Sequence, residues 1–314
     1  MNRPKVYIDG KEGTTGLQIY DRLAAREDIE LLLIDEDKRK DTAERKKFLN
    51  GADLVFLCLP DAAALEAVSL IENENTRVID CSTAHRTNPD WVYGFPELLK
   101  KGQKEAIQAA KRVANPGCHA TGFLACVAPL VQFGVIPTDY PLTCWSLTGY
   151  SGGGKKMIAE YEDPGRDPLL AGPAPYSLGM KHKHLPEMQK IAGLDYPPAF
   201  LPVLGDVYKG MCTTVMLHNT HLGKRLTAEE IYELLAFHYG GGPVVKVAPF
   251  GEAPARLYTS QMAGTDSLLL TVTGHDGQTL ITALFDNLGK GASGAAVQNM
   301  NLMLGFEETT GLNL

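Results

Sequence analysis

Cys118 is the residue whose setting could do chemistry. It stands in Asn115-Pro-Gly-Cys-His-Ala-Thr121, after a Pro-Gly turn and before a run, Ala120 to Val131, that reads as a helix. A cysteine at a helix N-terminus meets backbone N–H groups and the positive end of the macrodipole, both of which favour the thiolate. That is how a nucleophile is made, although one of six cysteines can equally be a small buried apolar residue. A second dense polar cluster, Lys181-His-Lys-His-Leu-Pro-Glu187, supplies imidazoles, which titrate near neutrality and serve as proton shuttles. Two histidines two residues apart fall on opposite faces of an extended chain, so the spacing leaves His182 and His184 as alternatives. Asp80-Cys-Ser-Thr-Ala-His-Arg86 adds a hydroxyl pair and a guanidinium, which suits a phosphate or carboxylate as well as an ordinary surface. Gly149-Tyr-Ser-Gly-Gly-Gly154-Lys-Lys156 reads as a glycine-rich loop, either binding an oxyanion through its amides or simply connecting.

These groups need elements to position them. Lys5 to Asp9 is a strand-like run, followed by Gly10-Lys-Glu-Gly13-Thr-Thr-Gly16 and a helical pattern through Leu17, Ile19, Tyr20, Leu23 and Ala24. Strand, glycine turn and helix form the arrangement that cradles phosphates, here with GxxGxxG spacing. Strand patterns recur at Glu30 to Ile34, Asp53 to Leu59, Arg77 to Asp80 and Arg112 to Ala114, with helical runs at Thr42 to Leu49 and Ala62 to Ile71. Such alternation predicts βαβ units, a parallel sheet and ligands at the C-terminal strand ends. Those ends carry the glycine turn, Asp35, Leu59-Pro60, Cys81-Ser-Thr83 and Gly117-Cys118, so the turn and the cysteine are expected at one crevice. Asp35 would accept the ribose hydroxyl of NAD, whereas Lys38, Arg39 or Lys40 would hold the 2′-phosphate of NADP.

Beyond Cys118 the pattern changes. Pro141 to Thr148, Met211 to Leu222, Ser267 to Thr273 and Leu280 to Leu284 read as strands and Thr227 to Tyr239 as a helix, with a long loop at Pro164 to Pro175. Few helices among these strands predict a mixed sheet in an α+β domain. His218 and His221 fall on a strand and read as structural. The small residues of Asn287 to Asn301 lead into a closely packing helix with apolar positions at Val297, Met300 and Leu304. The expected fold is therefore α/β: a Rossmann-like dinucleotide-binding domain, residues 1–117 with 290–314, and an α+β catalytic and dimerisation domain with a mixed sheet, residues 118–289.

Composition narrows the partners. The chain has 314 residues, 44% hydrophobic, which allows a large core and about two domains. Thirty Lys and Arg against 37 Asp and Glu give a formal charge of −7, so general attraction to nucleic acid or an anionic membrane is not expected. No apolar run reaches the ~18 residues of a membrane span, and the N-terminus runs into a strand without a signal region, so a cytoplasmic protein is expected. The cysteines show neither CxxC pairs nor zinc-type spacing, which predicts thiols and no metal.

With these stretches in order, the chain resembles the N-acetyl-gamma-glutamyl-phosphate reductases, specifically their shorter form. The matching segments are Gly10 to Gly16, Cys81 to Arg86, Asn115 to Cys118, Ser151-Gly-Gly-Gly-Lys155, His182-Lys-His-Leu-Pro-Glu187 and Gly289 to Asn301. The aspartate-semialdehyde dehydrogenases of the wider superfamily share the cysteine and the dinucleotide domain but not the His182 to Glu187 stretch. The resemblance implies NADPH-dependent reduction of N-acetyl-L-glutamyl 5-phosphate to the semialdehyde with loss of phosphate, in arginine biosynthesis. It implies Cys118 as nucleophile; for the histidine that protonates the carbonyl oxygen or leaving group, His184 is favoured, with His182 as the competing choice or a substrate contact. Cofactor contacts are expected from Gly10, Gly13, Thr14, Thr15, Gly16, Arg39, Ser82, Asn287 and Gly291. Substrate contacts are expected from Arg86, Asn115, Ser151, Gly152 and Lys155. The partner is a small-molecule substrate, and a homodimer or homotetramer is expected. The alternatives are a reductase of aspartyl phosphate or of a carrier-linked aminoadipyl phosphate, and a non-catalytic dinucleotide-binding redox sensor.

Overall fold

Strand β1 (Lys5–Asp9) shows why the first part of the chain builds a buried sheet: Val6 and Ile8 join one apolar cluster and Tyr7 another. A strand covered on both faces needs apolar residues at successive positions. The computed structural model describes residues 3–314. From β1 the chain passes through α1 (Thr14–Leu23), β2 (Glu30–Leu32), α2 (Thr42–Gly51), β3 (Leu54–Leu57), α3 (Asp61–Ser69), β4 (Arg77–Asp80), β5 (Val92–Tyr93), α4 (Gln103–Ala109) and β6 (Arg112–Ala114). The six strands are parallel in the order β2-β1-β3-β4-β6-β5. Because β2 and β3 flank β1 on opposite sides, the order reverses at β1, and a crevice opens beyond the ends of β1 and β3.

The chain then runs through α5 (Cys118–Gln132), β7 (Thr143–Gly149), α6 (Gly154–Glu162), β8 (Ala174–Pro175), α7 (Leu185–Ala192), β9 (Ala199–Gly205), β10 (Met211–His218), α8 (Ala228–Tyr239), β11 (Val245–Val247), β12 (Leu268–His275) and β13 (Gln278–Phe285). A final helix, α9 (Gly294–Leu304), follows a π-helical turn at Gly289–Ser293. The chain forms two compact units. The first holds the residues up to Pro96, Lys104–Pro116 and Ala292–Leu312, and the second holds Glu97–Gln103, Gly117–Gly291 and Asn313–Leu314.

In the first unit one face of the sheet is covered by Ile19 and Leu23 of α1, Ile107 of α4 and Val297 and Met300 of α9. The other face meets Leu49 of α2 and Ala64 and Ala67 of α3. In the second unit the seven strands run β11-β12-β13-β10-β7-β9-β8, with antiparallel pairs around β10 and β13 and parallel pairs β7/β9 and β11/β12. Helix α5 lies against β10 and β13 and is buried continuously from His119 to Leu130, as befits a helix apolar on nearly every side. Gly122 allows the close approach: a Cβ there would lie 2.5 Å from Thr213 Oγ1.

Several expectations need correction. The strand expected to reach Ile34 ends at Leu32, and that of Asp53 to Leu59 narrows to Leu54–Leu57, because Pro60 already caps α3. The stretch from Gly149 to Lys156 is not a loop. Tyr150–Gly153 forms a 3₁₀ turn, Gly154 takes a left-handed φ of 78°, and α6 begins there, so Lys155 and Lys156 lie in its first turn. The helix is secured by Tyr161, whose buried ring stacks on Tyr150 at 4.7 Å. Met211 to Leu222 divides into β10 and a 3₁₀ turn at Asn219–His221.

Candidate active site

In the second unit Cys118 is the first residue of the 15-residue α5. Its cap, Gly117, offers no side chain to the amides of the first turn. The thiol is half-buried, whereas Cys126, Cys144 and Cys212 are buried and burial pushes their thiols up. Two contacts aim the turn. Gly117 N–H donates to Glu187 Oε1 at 2.8 Å, so the last residue of the His182 to Glu187 stretch holds the peptide in front of the cysteine. On the other side Gly291 lies so near that an added Cβ would sit 3.1 Å from Cys118 Cβ.

Asn287 braces the same region. Its Oδ1 accepts from Gly210 N–H at 2.8 Å and its Nδ2 donates to Ser151 Oγ at 3.0 Å, with Gly152 alongside. Asn287 is thus held to Ser151 and Gly152, and Gly291 to Cys118, while Lys155 stands exposed on α6.

The histidines gather as well. His182 and His184 place their rings 5.3 and 5.7 Å from that of His119, and 4.8 Å from each other. They do not diverge as an extended backbone would make them, because the chain turns at Lys183 and His184 caps α7. His184 N–H donates to His182 Nδ1 at 3.1 Å, which fixes the His182 proton on Nε2. Burial and then the Lys183 charge lower the His182 pKa to about 4, so the ring is neutral at neutral pH. His119, buried at 2% exposure, is lowered to about 3 by burial, with His182 and Lys183 adding to it. Its Nδ1 meets Ser146 Oγ and its Nε2 meets Tyr176 Oη, both at 2.8 Å. Burial, and then the Cys118 charge, raise the Tyr176 pKa, so its phenol keeps its proton.

Sequence reasoning gave no role to His119, Glu187 or Tyr176. A histidine inside an otherwise apolar helix is a usable signal, since a buried imidazole must find partners. Tyr176 directly follows β8 (Ala174–Pro175) and carries no comparable mark.

In the first unit the glycine turn is tightly built. Gly10 has φ +87°, and a Cβ on it would lie 2.4 Å from Cys58 O; a Cβ on Gly16 would lie 2.4 Å from Gly10 O. Gly13 N–H closes the turn on Gly10 O at 3.0 Å, and α1 starts without a side-chain cap. A cavity of about 460 Å³ opens there, lined by Gly10, Gly13, Ile34, Arg39, Leu59 and Pro60 among others. Thr14 Oγ1 is buried with no protein partner, and Thr15 is half-buried beside it. Close glycine backbone, an uncapped helix start and an unsatisfied hydroxyl together fit a dinucleotide phosphate. Arg39 is held only loosely, 3.9 Å from Glu12 and 3.7 Å from Glu36.

The remaining expected residues are anchored within that unit. Ser82 Oγ donates to Asp80 Oδ2 at 2.7 Å, and His85 Nδ1 meets the same oxygen at 2.6 Å while its ring stacks on Trp91. Arg86, buried, donates from Nε to Asn115 O and from Nη2 to Cys81 O. The Asn115 amide donates to Ala292 O at 3.0 Å and accepts from Asn299 Nδ2 at 3.1 Å.

A parallel nucleotide-type sheet and a separate mixed-sheet unit with a cysteine at the first position of its buried helix define a semialdehyde dehydrogenase type of protein. Family models agree: residues 5–107 match the semialdehyde dehydrogenase NAD binding domain and residues 118–287 the semialdehyde dehydrogenase dimerisation domain. The chain is 50% identical over 309 residues to N-acetyl-gamma-glutamyl-phosphate reductase of Brucella anthropi, covering 96% of this chain and 99% of that one. It is 46% identical over 324 residues to N-acetyl-gamma-glutamyl-phosphate reductase 2 of a Nostoc species, covering 99% and 100%. This chain belongs to the N-acetyl-gamma-glutamyl-phosphate reductase family. Among solved structures, aspartate semialdehyde dehydrogenase II from Vibrio cholerae shares the fold, with a TM-score of 0.72 at 18% identity over 96% of this chain and 99% of that one. Among the described residues no helix is long and apolar enough to cross a membrane.

Proposed function

We propose that the chain reduces N-acetyl-L-glutamyl 5-phosphate to N-acetyl-L-glutamate 5-semialdehyde with NADPH, releasing phosphate, as a step of arginine biosynthesis. The observation that carries the mechanism is Cys118 at the first position of α5, in a family named for reduction of an acyl phosphate. An acyl phosphate is an activated carbonyl. As the Cys118 sulfur bonds to the acyl carbon, the bond from that carbon to the phosphate oxygen breaks and a thioester remains. The thiol proton passes to an imidazole and from there to the departing phosphate, which balances the step.

His184 is the imidazole we assign to that transfer, with His182 as the competing choice. What supports this order is that His182 Nδ1 already accepts a hydrogen bond and its pKa is lowered to about 4, which makes it a donor through Nε2 and a poor base. The cofactor, which Gly10, Gly13, Thr14, Thr15, Gly16 and Arg39 would hold, supplies hydride when bound. Glu187 keeps the Gly117 peptide, and with it Cys118, in place throughout. Ser151, Gly152 and Lys155 are the second-unit residues proposed to meet the substrate's anionic groups. The enzyme works on a small molecule in the cytoplasm, as a homodimer or homotetramer formed through the second unit.

The test is Cys118→Ser assayed by NADPH consumption. The variant should fold and bind NADPH yet lose turnover by orders of magnitude, since serine is not ionised at neutral pH. Retained turnover would refute the covalent route, and faster turnover on aspartyl phosphate than on N-acetylglutamyl phosphate would refute the substrate.

A further inference from the structure

We infer that Tyr176 is a catalytic hydrogen-bond donor to the substrate oxygen carried on Cys118, and that His119 is the residue that positions it. The inference rests on the reductase reading above. His119 follows Cys118 on the first turn of α5, and the Cys118 charge acts on Tyr176, so the phenol that His119 holds lies within electrostatic reach of the nucleophile. It holds Tyr176 Oη at 2.8 Å. Behind it, Ser146 Oγ contacts His119 Nδ1 at 2.8 Å and Thr213 Oγ1 at 2.7 Å, the two hydroxyls facing each other across the β7/β10 pair. A chain of four groups therefore runs from inside the sheet to the phenol.

Neutral His119 carries one proton, so this chain has two polarities. In one, Tyr176 donates to Nε2, Nδ1–H donates to Ser146, and Ser146 donates to Thr213. The Thr213 proton is then stranded, because Ser146 is its only hydrogen-bonding partner among the described residues and Thr213 is fully buried. In the other, Thr213 donates to Ser146, Ser146 to Nδ1, and Nε2–H to the phenolic oxygen. Only this second polarity leaves no buried donor unpaired. It turns the O–H of half-buried Tyr176 away from His119, so that it donates elsewhere. A phenol that already accepts a hydrogen bond is also a stronger donor.

The backbone beside Tyr176 is strained: Ser177 and Met180 adopt φ of 53° and 54°, conformations that non-glycine residues reach only when the surroundings impose them. When the thioester on Cys118 is reduced, the carbonyl pair moves onto oxygen, and Tyr176 O–H donates a hydrogen bond to it without surrendering its proton. The pair then returns to re-form C=O as the carbon–sulfur bond breaks, and its electrons go back to Cys118 Sγ. A fixed donor of this kind contributes on the order of 10²–10³ in rate.

The experiment measures kcat and KM for NADPH-dependent reduction of N-acetylglutamyl phosphate by the full chain. Tyr176→Phe should lower kcat about 10²-fold with KM within roughly threefold. His119→Gln, whose amide can still donate to the phenol, should keep kcat within about tenfold, whereas His119→Phe should fall to the Tyr176→Phe level. The double variant Tyr176→Phe/His119→Phe should be no slower than either, because both act through one oxygen. Should His119→Phe not fold, His119→Gln and Tyr176→Phe decide the matter alone. Tyr176→Phe with kcat within about threefold of the parent, or losses that multiply in the double variant, would overturn the inference while the parent's activity upholds the reductase reading. A parent chain inactive on this substrate would overturn both.

Discussion

Substituting Gly122 with alanine tests whether the seat of α5 sets the position of the nucleophile. The new Cβ would lie 2.5 Å from Thr213 Oγ1, 2.6 Å from Thr213 Cβ and 2.9 Å from Phe285 Cε1. Ordinary contact begins at 3.4 Å, so α5 must withdraw from β10 by about 0.9 Å, or two buried side chains must yield. Forcing one methyl into a packed core costs about 1–3 kcal/mol, and at ~2–4 °C per kcal/mol for a unit of this size the melting temperature should fall by roughly 2–12 °C. Because α5 starts at Cys118, the same withdrawal moves the thiol. A displacement of ~1 Å costs about 10²-fold in a step that depends on orientation. The assays are thermal unfolding and kcat/KM, with Gly51→Ala as control, since nothing lies within 4 Å of a Cβ at Gly51. A Gly122→Ala protein that melts within a degree of the parent and turns over equally fast would show that α5 is not held by this contact.

Three further outcomes are expected. Glu187→Ala orphans the Gly117 N–H and should destabilise the protein by about 2 kcal/mol in thermal unfolding, whereas Glu187→Gln, which keeps an acceptor, should cost less than half of that. Thr14→Val removes a buried hydroxyl that has no protein partner; the protein without cofactor should melt slightly higher and yet bind NADPH more weakly in a fluorescence titration. The folded pKa of about 4 for His182 lies below the ordinary value of 6.5. The unfolded state therefore binds more protons between these values, and the stability from keeping His182 neutral is present above 6.5 and lost as pH falls towards 4. His182→Asn should flatten that acid limb in urea unfolding curves taken across the range.

Much of this could be read from residue order. Lys5–Asp9 and Arg77–Asp80 are apolar at successive positions because parallel strands are covered on both faces, and Pro-Gly before Cys118 marks a helix start whatever follows. What escaped was structure held by distant contacts. Three successive glycines at 152–154 read as a loop, but Gly154 turns the chain in a left-handed conformation and Tyr161 docks the resulting helix on Tyr150. Strands β5 and β11 have only two or three residues and owe their form to the neighbours they pair with. In the candidate site, Tyr176 stands 57 positions after His119, and Glu187 stands 70 after Gly117. No local spacing expresses either pairing, because the sheet between them sets it.

Helix α9 makes the order of synthesis matter. Val6, Ile8, Phe56 and Ile79 share one apolar cluster with Ala296, Val297 and Met300. The strands carrying that face, and α1 and α4 upon it, are complete at Ala114, but the third helix that covers it begins at Gly294. At ~5–20 residues per second a ribosome needs roughly 10–40 s to make what lies between. For that interval the growing chain leaves uncovered the part of the apolar face that α9 will take, the kind of surface that holding chaperones recognise and that aggregates without them. The second unit can collect its own core meanwhile, so the half that is made first is the half that finishes last.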